Sequence, residues 1–302
     1  MILLLGEVLF DVFPRRKRLG GAPFNCAYHL YRLGLPLRFV SRVGTDAEGR
    51  AMLDTLRARG FPCQDIQRDS QKPTGKVMVT IDAQGTPSYA ILPEVAYDDL
   101  EITPAIEAFM QDGCRLVCFG SLVQRTPHGH ATLQTLLRRR PQGVKALYDV
   151  NLRPDGYNRT ILEDSLRQAD IVKLNAEELA ILARLFIPDQ APEDRLAGLA
   201  EHFQIATMAL TLGAQGSTLL AGGEAYHAAP PEGLRVRDTV GAGDAFTAML
   251  AAGAVADWPP QKTLDLANRL AAMICGIEGA IPDDAAFYAE IAARAMQEIR
   301  HG

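Results

Sequence analysis

The 302-residue chain has five cysteines, a single tryptophan and no pair of cysteines at C-x-x-C spacing. Cys26, Cys63, Cys114, Cys118 and Cys275 are scattered, which excludes a disulfide framework or a zinc site of ordinary spacing and fits a reducing compartment. Cys114 and Cys118 flank Arg-Leu-Val and read as buried strand thiols rather than metal ligands. The opening Met-Ile-Leu-Leu-Leu5 lacks a basic flank and is cut short by Glu7 and Asp11, so neither a secretory leader nor a membrane span is expected. A cytoplasmic protein with no membrane partner follows as an expectation. Positive charge is also scarce: 31 Lys and Arg against 36 Asp and Glu give a formal charge of −5, which argues against a nucleic-acid groove. The basic clusters lie at 15–18, just before two glycines, and at 138–140, where cations suit a helix end before Pro141. Two phosphate-binding signatures are missing, G-x-G-x-x-G after the first strand and the Gly-Lys-Ser/Thr of a P-loop. Any bound anion would have to be neutralised by backbone amides, a metal ion or arginines.

With 48% hydrophobic residues the chain can bury a large core. Residues 1–5 read as a buried first strand, and short apolar runs at 116–119, 146–150, 171–174 and 206–212 read as further strands separated by helical patterns. That alternation predicts a mostly parallel sheet with right-handed crossovers, and sites in such sheets lie beyond the carboxyl ends of the strands. The residues there are polar: Gly120 and Ser121, Asp149 to Arg153, Asn175 to Glu178, Gly213 to Ser217. One region breaks the rhythm. Two alternating stretches, 76–81 and 88–92, flank Asp82-Ala-Gln-Gly85 and predict a hairpin. With 38–43 it is expected to form a small separate sheet, usable as a lid or as a dimer surface.

Two segments carry chemistry. Asp238-Thr-Val-Gly-Ala-Gly-Asp-Ala-Phe246 places small residues and then a carboxylate where a helix begins. Unpaired amides of Gly241, Ala242 and Gly243 at the positive end of that helix can face an anion. Asp244 beside them suits a base that takes a proton from an attacking hydroxyl, although alone the turn equally fits an Asp-capped glycine turn. Near the N-terminus, Gly6-Glu-Val-Leu-Phe-Asp11 is followed by Gly20-Gly-Ala-Pro-Phe-Asn25 and a helical face of Cys26, Ala27, Leu30 and Leu33 stopped by Gly34. Asp11, Gly21 and Asn25 are groups that recognise sugar hydroxyls, while each alone also fits a loop charge, a turn and a helix cap. His128 and His130 lack partners at ligand spacing and read as surface loop residues; Trp258, beside two prolines, reads as packing after a helix.

Gly-Gly-Ala-Pro-x-Asn early and Asp-Thr-x-Gly-Ala-Gly-Asp late resemble the two signatures of the ribokinase/PfkB family of carbohydrate kinases. Asp149-x-Asn151-Leu-Arg153, Asn175-x-x-Glu178, Thr211-Leu-Gly213-x-x-Gly216, Ala267-Asn268 and Gly279-Ala280-Ile-Pro282 extend the resemblance over nearly the whole chain. It implies a ribokinase-like α/β fold, a three-layer αβα sandwich with a mostly parallel central sheet. The whole of 1–302 would be one kinase domain, with a β-sheet lid drawn from segments around 11–20, 38–43 and 73–97. It further implies transfer of the γ-phosphoryl of ATP to a sugar hydroxyl, with Asp244 as base and the amides of Gly241, Ala242 and Gly243 as anion hole. Asp11, Gly20, Gly21, Asn25, Tyr89, Asn151 and Arg153 would meet the sugar. Asn175, Thr211, Gly213, Gly216 and Asn268, with Gly241 and Gly243, would meet the nucleotide. Glu178 would hold Mg²⁺ through water, and Asp238, Thr239 and Gly279 resemble a K⁺ site. The family's habit is a homodimer joined through the lids. Gly6-Glu7 before Asp11, Ala22-Pro23 and Gly85-x-Pro-Ser-Tyr89 resemble bacterial fructokinases most. A 2-keto-3-deoxygluconate kinase, a ribokinase, a nucleoside kinase and a non-catalytic sugar binder remain the alternatives.

Overall fold

In chain order, β1 (Ile2–Leu5), β2 (Leu9–Phe13), β3 (Arg16–Gly20), α1 (Ala22–Arg32), β4 (Leu37–Gly44), α2 (Ala47–Ala58), β5 (Ile66–Asp69), β6 (Lys76–Ile81) and β7 (Pro87–Ile91) form the N-terminal part. There follow α3 (Pro104–Gln111), β8 (Leu116–Gly120), α4 (Pro127–Arg138), β9 (Lys145–Asp149), α5 (Arg159–Gln168), β10 (Ile171–Asn175), α6 (Ala176–Phe186), α7 (Arg195–Phe203) and β11 (Thr207–Thr211). The chain continues through β12 (Ser217–Ala221), β13 (Glu224–Ala228), α8 (Ala242–Ala256), α9 (Pro260–Cys275) and α10 (Ala289–Gln297). This computed structural model describes residues 1–302 except 82–86, 232, 234, 283 and 298–302; the expected hairpin turn at Asp82 to Gly85 lies outside the described residues.

Nine strands form the main sheet in the order β13-β12-β11-β10-β9-β8-β1-β4-β5. The seven from β11 to β5 run parallel, and β12 and β13 are added antiparallel at one edge. The parallel strands are short apolar runs because helices cover both of their faces. One cluster, with Phe24, Met52, Phe246 and Leu264, packs α1, α2, α8 and α9 on one face. A second, with Met110, Leu133, Leu166 and Leu199, packs α3 to α7 on the other. The layers are therefore α, β and α. Nine residues of α8, from 245 to 253, are all buried, and its small side chains let α9 approach closely: a Cβ on Gly253 would sit 2.5 Å from Thr263 Oγ1.

A separate four-stranded sheet has the order β3-β2-β6-β7. Leu9, Val77 and Val79 bury its inner face against Val95, Tyr97 and Leu122. The segment 38–43 does not belong to it, contrary to the expectation from sequence. It is β4, paired in parallel with both β1 and β5. Arg38 and Arg42 give this strand a half-polar pattern, yet Phe39, Val40 and Val43 are buried, and the guanidiniums reach Asp65 and Asp69 near the sheet edge (2.7 and 2.9 Å). The antiparallel pair β12 and β13, which shares its sheet with the parallel strands, is a further departure from the simple alternating pattern. His128 and His130 also lie in α4 rather than in a loop, with His130 Nε2 3.1 Å from Asp164.

Candidate active site

The ends of β9 and β10 meet the first turns of α8 through Asp149 and Lys173, and parallel pairing brings the carboxyl ends of β1, β8 and β11 to the same edge of the sheet. Gly241 caps that helix with φ +80°, a conformation that a side chain disfavours, and a Cβ there would run into Ala280. The Ala242 N–H closes the turn on the Thr239 carbonyl at 3.3 Å, a long bond. Asp244 occupies the first helical turn, where its partly accessible carboxylate accepts a hydrogen bond from Asn25 Nδ2 at 2.8 Å. Desolvation, reinforced by Asp149, raises its pKa to about 6, against the lowering effects of Asn25, Lys173 and Arg153. A carboxylate poised there is ionised at neutral pH and still basic enough to take a proton.

Beneath the turn lies a group that the sequence reading did not single out. Lys173, 6% exposed, interrupts the apolar run of β10 and places Nζ 3.1 Å from Asp149 Oδ1. The buried Thr247 Oγ1 lies 2.7 Å from Asp149 Oδ2 and 3.0 Å from the Gly243 carbonyl. Asp149 directly opposes Lys173 across the β9–β10 ladder. The signal was present in the sequence as a lone cation in Ile-Val-Lys-Leu, since a buried lysine persists only with a partner.

On the sugar side, the period of two along antiparallel strands puts Asp11, Arg18 and Tyr89 on one face of the small sheet with Leu9, Val77 and Val79. Gly20 leaves room for Asp11, because a Cβ there would meet Asp11 Oδ2 at 2.7 Å. Gly21, at φ +112°, permits a close approach to the Glu7 carbonyl, which a Cβ would meet at 2.5 Å. Asn25 is 4% exposed and Glu7 is buried. Burial raises the Glu7 pKa to about 7 and that of Asp11 to about 6, and in both cases Arg153 opposes the rise while Asp244 adds to it. Three carboxyl groups thus share the field of one exposed arginine. Glu7, read from sequence only as a mark of resemblance, belongs to this cluster. Arg153 follows Asn151, whose φ of +37° is rare for a residue with a side chain and bends the chain at the end of β9. Tyr89 is 51% exposed; Asp11, Asp238 and Arg153 are within electrostatic reach of it.

On the other side, Asn175 and Thr211 end adjacent strands in register. Asn175 and Glu178 form a reciprocal cap at the start of α6: Asn175 Oδ1 accepts from the Glu178 N–H (2.9 Å) and Glu178 Oε2 from the Asn175 N–H (2.8 Å). Glu178 Oε1 accepts from the Leu152 N–H at 2.9 Å. Gly213 and Gly216 turn the chain from β11 to β12 with positive φ, and at Gly216 a Cβ would strike the Ala228 carbonyl. Asn268, expected toward the nucleotide, is buried on α9 and donates from Nδ2 to Ser217 Oγ (2.8 Å) and the Ala228 carbonyl (3.2 Å), tying α9 to β12 and β13. Its amide protons are committed to the fold. Asp238 accepts from the Val240 N–H (3.1 Å) and the Gly279 N–H (3.0 Å), joining the two loops beside Gly241. Thr239 supplies the carbonyl that closes the turn.

A doubly covered, mostly parallel sheet with a carboxylate at a glycine-lined helix start, under a small β-sheet, defines the ribokinase-like fold. The model of the pfkB family of carbohydrate kinases matches residues 5–286, and the chain belongs to that family. It is an ATP-dependent sugar kinase, a phosphotransferase with an alcohol group as acceptor. It is 30% identical to a fructokinase of Klebsiella pneumoniae, covering 91% of each chain. The crystal structure of a Pyrococcus horikoshii sugar kinase in complex with ATP superposes with a TM-score of 0.80 at 26% identity, over 98% of this chain and 100% of that one. A Vibrio cholerae fructokinase solved with fructose, ADP and potassium ion gives a TM-score of 0.77 at 25% identity, over 95% and 97%. Among the described residues, no helix is long and apolar enough to cross a membrane.

Proposed function

We propose that this kinase phosphorylates fructose, with Asp244 as the general base for the acceptor hydroxyl. The observation that carries the reading is Asp244 itself, set at the glycine-lined start of α8, held by Asn25 at 2.8 Å and raised by burial to a pKa of about 6. The hydroxyl proton passes to Asp244 as its oxygen bonds to the γ-phosphorus and the bond to the β-phosphate breaks. The amides of Gly241, Ala242 and Gly243 receive the charge that develops on the phosphoryl oxygens. Asp11, Asn25, Arg153 and Tyr89, with the backbone of Gly20 and Gly21, bind and orient the sugar beside Asn151. Asn175, Thr211, Gly213 and Gly216 line the nucleotide.

Mg²⁺ bound with ATP neutralises phosphate charge. Glu178 fits only a water-mediated part in holding it, since both carboxylate oxygens already accept backbone N–H groups. Asp238, with carbonyls from the Thr239 and Gly279 loops, fits a K⁺ ion that would brace the turn. The exposed edges of the small sheet suit pairing of two lids in a homodimer, which analytical ultracentrifugation checks.

An acidic acceptor such as 2-keto-3-deoxygluconate is less well served. Arg16 and Arg18 are both bound to Glu278, and Arg18 also lies 3.9 Å from Asp238, so both guanidiniums are already engaged by carboxylates of the protein. The test is ADP release with ATP, Mg²⁺ and K⁺ against fructose, 2-keto-3-deoxygluconate, ribose and adenosine. Highest kcat/KM for fructose supports the reading; preference for another acceptor moves the substrate and leaves Asp244 in place. Activity on none of the four contradicts the fructose assignment.

A further inference from the structure

We propose that Lys173 is a positioning residue for phosphoryl transfer, a buried cation that, paired with Asp149, braces the Gly241–Gly243 turn from below. The proposal rests on the reading of that turn as the anion hole.

Three observations carry it. First, Lys173 is 6% exposed on a central strand of the sheet, where an apolar residue would serve packing better and where a cation is costly without a partner. Its partner, Asp149 at 3.1 Å, sits at the carboxyl end of β9, at the active-site end of the sheet. Second, a Cβ on Gly243 would lie 3.0 Å from Lys173 Nζ, so glycine at this position leaves the ammonium group directly under the turn. Third, the same carboxylate reaches the first turns of α8, since the single hydroxyl proton of Thr247 is shared between two acceptors, Asp149 and the Gly243 carbonyl. Lys173 Nζ meets Asp149 Oδ1, Asp149 Oδ2 meets Thr247 Oγ1 at 2.7 Å, and Thr247 Oγ1 meets the Gly243 carbonyl at 3.0 Å. Thr247 is one helical turn beyond Gly243, so the same contact holds the start of α8 at a fixed height above the sheet.

The arrangement answers a problem raised by Asp244. A carboxylate beside an anion site repels the phosphoryl group that it must approach, and the P-loop lysine that offsets such repulsion elsewhere is missing from this chain. The backbone amides of the turn must then be held firmly in place, and the Lys173–Asp149 pair orders the groups directly beneath them. The charges of Asp149, Glu178 and Asp244 hold Lys173 protonated in spite of burial. Lying within 3.0 Å of where a Gly243 Cβ would sit, it works by fixing the turn.

The test uses the full-length protein and three variants: Lys173→Met, the charge-balanced double variant Lys173→Met with Asp149→Asn, and Thr247→Val, which keeps both charges and removes the hydroxyl that joins Asp149 to α8. Steady-state kinetics give kcat and the KM for fructose and for ATP. Calorimetry with ADP, fructose and aluminium fluoride measures affinity for a phosphoryl mimic. Expected results are a fall in kcat of about 10²-fold or more in both lysine variants and about fivefold in Thr247→Val, with each KM within about threefold of wild type. Affinity for the mimic falls in parallel with kcat. A lysine variant that misfolds leaves the decision to the others. Wild-type kcat in folded Thr247→Val or in a folded lysine variant overturns the proposal, as does a uniform rise in KM with unchanged kcat. Asp244→Asn separates the two levels: if it collapses turnover while Lys173→Met does not, only this inference fails, and if it retains turnover the reading of the site fails with it.

Discussion

The two sides of the cleft are built on different physical terms. The floor is made of the N-terminus of α8 and the ends of β9 and β10, where Lys173, Thr247 and Asp149 are all buried. The roof is a four-stranded sheet whose Asp11 is only partly buried and whose Tyr89 is 51% exposed. Floor residues are held by short hydrogen bonds and by glycines that admit no side chain. The roof is held by strand pairing and by one small apolar cluster around Leu9, Val77 and Val79, while Tyr89 and much of β3 and β7 face water. Chemistry that needs fixed geometry belongs on the rigid side, and recognition that can be retuned belongs on the exposed side.

That contrast predicts a graded series of losses. Asp244→Asn heads it, with kcat falling by about 10³-fold as the base is lost. Gly241→Ala comes next: the positive φ and the collision with Ala280 should displace the turn and lower kcat by roughly 10²-fold, together with a lower melting temperature. On the roof, Asp11→Asn should raise the fructose KM about tenfold with a smaller change in kcat. Tyr89→Ala should shift KM by about threefold or less. A large kcat effect at Tyr89, or a pure KM effect at Gly241, would break the division between floor and roof.

The mildest test is of stability. The pKa of Glu7 is raised to about 7 from an ordinary 4.5, so the native protein keeps a proton that the unfolded chain releases. Stability contributed in this way is fully present below about pH 4.5 and is lost as pH rises through 7. The melting temperature of the ligand-free protein should therefore decline between pH 5 and 8, and Glu7→Gln should flatten the decline by a few degrees. An unchanged slope in that variant would remove Glu7 from the carboxyl cluster.

Legibility in the sequence follows the same division. Five of the parallel strands, β1 and β8 to β11, were readable as short apolar runs, and the Gly-Ala-Gly-Asp turn as a helix start, because both signals are local. The placement of β4 was not readable, since its arginines looked solvent-facing until Asp65 and Asp69 were beside them. Lys173 and Thr247 were missed for the converse reason: their partner Asp149 is 24 residues from one and 98 from the other. Asn268 and the Asn175–Glu178 pair show a third case. Their motifs suggested ligand contacts, but the bonds found there hold helices in place.

The most direct test of the account takes both quantities from one preparation of Asp244→Asn, the dissociation constant for fructose by calorimetry and kcat with saturating ATP and Mg²⁺. The account predicts fructose affinity within about threefold of wild type and kcat lower by about 10³-fold. Turnover near the wild-type rate, with binding intact, would contradict it.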